Sequence, residues 1–143
     1  VYASMIRRLT TTKDSTFGRD PDFPVIFVVD RIDPGAGDPE DTSDRGEQLS
    51  EDEKRLIRDR LSDLPIEFVS DEDEVVIPVE DGGGVERNGV VVTLGPIPEG
   101  EQRVEVPASL YAGPLAGTWL TYVLEFQEGE WKVTGITGPV AIS

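Results

Sequence analysis

Apolar and polar positions alternate most regularly in the last forty residues of the chain. Leu120, Tyr122, Leu124 and Phe126 fall on one face of an extended segment, and Thr121, Val123 and Glu125 on the other, the period-2 pattern of a sheet strand. The turn Gln127-Glu128-Gly129-Glu130 reverses the chain into Trp131-Lys132-Val133-Thr134, so the two segments are hairpin partners. With Arg103 to Leu110 ahead of them, the spacing predicts three antiparallel strands over 103–110, 118–126 and 130–136.

Upstream, the period changes. Tyr2, Met5, Ile6 and Leu9 stand at i, i+3, i+4 and i+7, the stripe of a short helix over 2–9. Val25 to Val29 is a continuous apolar, β-branched run, which suits a strand buried on both faces. Ser50-Glu51-Asp52-Glu53 forms a capping box. The helix it opens is predicted over 51–64, with Leu56, Ile57, Leu61 and Leu64 toward the core, acids in the first turn, and Pro65 as its stop. Ile66 to Val69, Val75 to Val79 and Val90 to Leu94 are expected as strands, with Pro78 marking an edge or bulge and Asn88-Gly89 a turn before the last of them. The loops fall at 13–24 and 30–49. Together these elements predict one α+β domain over 1–143. Its sheet is mostly antiparallel, with six or seven strands and two helices packed on one face.

Charge and missing residue types narrow the chemistry. The chain carries 29 acidic and 13 basic residues, a net charge of −16, a field that repels phosphate backbones and anionic lipid heads and so excludes nucleic acid as a natural partner. An acidic excess of this kind reads as a solubilising surface, as adaptation to high salt, or as cation binding. There is no Cys and no His. Serine or cysteine triads and the usual transition-metal ligand sets are therefore excluded, leaving carboxylates, Lys or Tyr to do any chemistry. No 18-residue apolar run is present, and the chain opens on Val1 rather than Met, which fits a removed export signal and an extracytoplasmic location.

Two acidic segments raise the question of calcium. The loop over about 33–49, expected to be mobile, holds Asp38, Glu40, Asp41 and Asp44 as candidate ligands. Its spacing departs from the helix-loop-helix template: counted from Asp41, the fifth position is Arg45 and the twelfth is Asp52 rather than Glu. Asp71-Glu72-Asp73-Glu74 packs four like charges together, which suits an exposed connector. Gly82-Gly83-Gly84 follows Asp81 without opening a helix, so it forms no phosphate cradle.

Ala112-Gly113-Pro114-Leu115-Ala116-Gly117, the strand through Tyr122-Val123-Leu124, Gly129-Glu130-Trp131-Lys132-Val133 and the final Ile142-Ser143 resemble the C-terminal signature of small, mostly exported bacterial proteins of unknown function. In that pattern cysteines stand where Ala112 and Ala116 stand here. The resemblance implies an exported sheet-plus-helix domain and brings no activity with it. The Gly-x-Trp-x-Val strand also resembles cystatin-like and nuclear-transport-factor-like folds, in which a long antiparallel sheet curls around a helix. Tyr111, Trp119, Tyr122 and Trp131 are the candidate binding residues, although an aromatic in such a meander ordinarily serves the core. The expected function is a non-catalytic domain with a binding or structural role, for a protein, a cell-envelope component or a small apolar ligand. The alternatives are a carboxylate-dependent hydrolase such as a glycosidase, and a calcium-binding acidic protein.

Overall fold

The computed structural model describes residues 1–11, 23–37, 46–113 and 116–142. It is a mixed α+β fold, in which α1 (Tyr2–Thr11) and α2 (Glu51–Arg60) accompany a six-stranded sheet. Its strands are β1 (Ile26–Val29), β2 (Ile66–Val69), β3 (Val90–Leu94), β4 (Arg103–Gly113), β5 (Ala116–Gln127) and β6 (Glu130–Ile142). Their order is β2-β1-β3-β4-β5-β6. β1 runs parallel to both of its neighbours, and every pairing from β3 onward is antiparallel. The all-antiparallel curled alternative therefore does not describe the half of the sheet around β1.

The central place of β1 follows from its composition. All four residues of Ile26-Phe27-Val28-Val29 are buried, because a parallel strand between two others has no wet face. Alternation sends its side chains to two clusters. Ile26 and Val28 join Val90, Val92, Val106, Leu110, Leu120, Tyr122 and Leu124, together with Met5, Ile6 and Leu9 of α1, Ile57 of α2 and Leu61 at its C-cap. Val25, Phe27, Val29 and Val91 join Val75 and Val85 from the β2–β3 connection. A parallel pair cannot be closed by a tight turn, and α2 sits in the long crossover that brings β1 back beside β2.

Several expectations change. The strand expected over 75–79 is a single bridge, Val76 to Val85, followed by a 3-10 turn at Val79–Asp81. Pro78 has no N–H for a ladder, and its carbonyl instead accepts from Asp81 N at 2.9 Å and Gly83 N at 3.0 Å. Asn88-Gly89 does not close a hairpin: β3 leaves it to pair parallel with β1. Arg87 and Asn88 supply the positive φ, at 56° and 55°. Gly89 is needed for a different reason, since a Cβ there would stand 2.5 Å from Val25 Cγ1 and 2.7 Å from the Val25 carbonyl.

Helix α2 stops at Arg60, short of Leu64. Leu64 precedes Pro65, which disfavours the helical backbone there, and Leu61 to Leu64 close as a turn with Leu64 N donating to Leu61 O at 2.9 Å. The acidic run forms a 3-10 turn at Glu72–Glu74. Asp71 accepts from Asp73 N and Glu74 from Ser70 N, so two of the four carboxylates cap backbone.

The flanks of the long acidic loop are held in place: Asp33 N donates to Leu94 O at 2.9 Å, Ile32 N to Glu47 O at 2.8 Å, and Ala36 and Leu49 are buried. Asp38, Glu40, Asp41 and Asp44 lie outside the described residues, as does the stretch 12–22.

Candidate functional site

The β5–β6 turn decides where the aromatic end of the sheet lies. Glu128 and Gly129 both take positive φ, 54° and 82°, the geometry of the two-residue turn that matches strand twist. It sets Phe126 opposite Trp131, with ring centroids 5.5 Å apart and planes tilted by 59°. On the helix side, Ser4 Oγ donates to Trp131 O at 3.3 Å and Tyr2 Oη to Gly95 O at 2.8 Å, which ties the first turn of α1 to β6 and to the end of β3. Arg7 then fastens α1 to α2, donating from two nitrogens to the Asp63 carboxylate at 3.0 and 2.8 Å and to Arg60 O at 3.3 Å.

These ties leave a groove of about 290 Å³ between α1, α2 and the hairpin tip. Leu56, Ile57, Ile97, Phe126 and Trp131 supply its apolar walls, and the Val1 ammonium, Glu53, Arg60 and Glu130 its charges. Leu56 is 51 % exposed, Phe126 46 % and Ile97 39 %, so large apolar side chains that could have been buried instead face one opening. Tyr2 lines the groove from below. Burial first, and the Glu53 carboxylate second, push its phenol well above the ordinary tyrosine range.

Of the four aromatics singled out in the sequence, Trp131 is in this groove. Tyr122 is fully buried in the main core. Tyr111 and Trp119 have the opposite strand parity: Ser109 pairs with Trp119 and Tyr111 with Gly117, which makes the two aromatics diagonal neighbours on the other side of the sheet. Burial and the Glu72 carboxylate raise the Tyr111 phenol.

Leu56, Phe126 and Ile97 are the residues that pattern reading missed. The apolar spacing puts Leu56 on the core face of α2, yet the buried positions are Lys54 and Ile57 in the helix and Leu61 at its C-cap. The signal was present in the spacing, since Glu53, Leu56 and Arg60 recur at i, i+3 and i+7, a second stripe beside the core one.

Lys54 is buried because it meets Asp30 at the end of β1. Lys54 Nζ stands 2.9 Å from Asp30 Oδ2, which also accepts from Gln48 Nε2 at 3.1 Å. Asp30 Oδ1 is buried and meets no hydrogen-bond donor among the described residues. The pair links β1 to the first turn of α2. Among the described residues no three His, Cys, Asp or Glu side chains are grouped so as to hold a metal.

Compared with protein-family models, with curated proteins and with solved structures, the chain finds no match.

Proposed function

We propose that the protein is a non-catalytic binding domain whose groove between α1, α2 and the β5–β6 tip receives a compact, mostly apolar ligand. The observation that carries this reading is the convergence of half-exposed Leu56, Ile97 and Phe126 with Trp131 on one concavity. Scattered apolar residues on a surface need no explanation, whereas a concave group of them with a few polar atoms at its rim is the usual form of a ligand site. The volume, near the small end of such sites, suits a ligand of a few rings or less. Both helices, sharing one apolar cluster with the same strands, would cover a single sheet face and leave the groove at its end. The resemblance of the C-terminal strands to exported bacterial domains would place this binding outside the cytoplasm.

Glu53 and Glu130 both line the groove, and a carboxylate pair is what a glycosidase would use. Against that reading, Glu53 Oε1 accepts from Ser50 N and Ser50 Oγ in the helix cap, and Glu130 Oε1 sits 3.7 Å from Lys132 Nζ. Neither is held as a dedicated acid or base. Calcium binding would rest on the loop acids at 38–44, which lie outside the described residues.

Titration with benzyl alcohol tests the binding reading. The protein should bind it saturably, and Leu56→Glu, a change at a half-exposed position that should cost the fold little, should weaken binding at least about tenfold. Unchanged affinity in a folded Leu56→Glu protein would remove the groove as the site.

A further inference from the structure

We propose that Lys54 and Asp30 condense into an amide, a bond formed within the chain that ties α2 to the end of β1. The two groups are held as reactants would be. Lys54 Nζ stands 2.9 Å from Asp30 Oδ2, both side chains are buried, and the ring centroid of Phe68 on β2 lies 5.8 Å from Nζ. Withdrawing an ammonium and a carboxylate from water is costly, and a proton passed along their contact discharges both at once. An amine then faces a carboxylic acid, fixed within contact distance of the group it attacks.

The two oxygens of that acid have different surroundings. Oδ2 accepts from Gln48 Nε2 at 3.1 Å, a donor placed where charge develops in a tetrahedral adduct. Oδ1 is buried and meets no donor among the described residues, so its departure forfeits no hydrogen bond and removes a buried unsatisfied acceptor. Nζ gives its first proton to the carboxylate, where it settles on Oδ1. The Nζ lone pair bonds to Asp30 Cγ as the C=O pair moves onto Oδ2, and a second proton reaches Oδ1 by way of Glu51 Oε1, 3.6 Å from Nζ. Oδ1 then leaves as water with the C–O bond pair, and the double bond re-forms at Oδ2. No oxidant, reductant or further reactant enters. The product closes the chain between residues 30 and 54 across the crossover to β2, restraining the unfolded state as a disulfide does, in a sequence that has no cysteine.

Intact-mass spectrometry of the full chain, kept folded at neutral pH, reads the bond. The protein should weigh one water less than its sequence, and a tryptic digest should yield one branched peptide holding residues 30 and 54. Lys54→Arg keeps the cation and cannot form the amide, so it should keep the full mass. Glu51→Gln should slow the water loss several-fold. A succinimide at Asp81-Gly82 would remove the same mass, but hydroxylamine opens a succinimide and spares this amide. The full sequence mass in the folded protein, or a water loss that persists in Lys54→Arg or is abolished by hydroxylamine, would overturn the proposal.

Discussion

At the scale of single residues, the most consequential side chain is Lys54, an ammonium 8 % exposed in a helix whose other charges are solvated. Its partner Asp30 is equally buried, so removing one leaves the other as an uncompensated interior charge. Lys54→Met should cost about 3–5 kcal/mol in urea unfolding, and a loss below about 1 kcal/mol would show that Asp30 is solvated some other way.

Tyr2 gives a pH signature. Its phenol is raised in the folded state, so the neutral form is bound more tightly there. That stabilisation is complete below the unfolded value of about 10 and is lost as pH climbs above it toward the folded value. Unfolding free energy should fall above about pH 10, and Tyr2→Phe should make that fall shallower. An identical slope in the variant would assign the alkaline loss to other groups.

At the scale of elements, α2 holds core and groove on adjacent stripes. Leu61 is 2 % exposed and Leu56 51 %. Leu61→Ala should therefore cost about 2–5 kcal/mol, while Leu56→Ala should stay within about 1 kcal/mol. Equal costs would mean that the groove is closed in solution. Pattern alone reached much of this element: the capping box at Ser50 and the buried Ile57 and Leu61 were legible because they rest on local hydrogen bonds and a local period. Leu56 was not, since whether an apolar helical residue faces core or groove depends on where α1 and the β5–β6 tip come to rest.

The same limit applies to the strands. The period-2 run at 120–126 was legible, and so was the continuous apolar run at 25–29. That β1 pairs in parallel with both β2 and β3 was not, because Asn88-Gly89 reads locally as a hairpin turn whereas its glycine is required by contact with distant Val25. Of the site, only Trp131 was legible. The other three aromatics chosen with it share its chemistry and not its place.

At the scale of the whole molecule, charge opposes compaction. A net charge of −16 on 143 residues should be relieved by screening, with the melting temperature rising in salt as the Debye length falls toward about 10 Å at 0.1 M. Calcium and sodium chloride matched for ionic strength should act alike, since two of the four carboxylates at 71–74 are engaged in backbone caps. A calcium-specific rise of several degrees would point to ligation, with its added mass-action stabilisation, and would reopen the loop acids as a site.

Amide chemical-shift mapping during a benzyl alcohol titration reads directly which face of the molecule receives a ligand. Shifts should concentrate at 2–4, 53–60, 97 and 126–131, around Trp131 and Leu56. Shifts centred instead on Tyr111 and Trp119, across the sheet, would contradict the groove as the site.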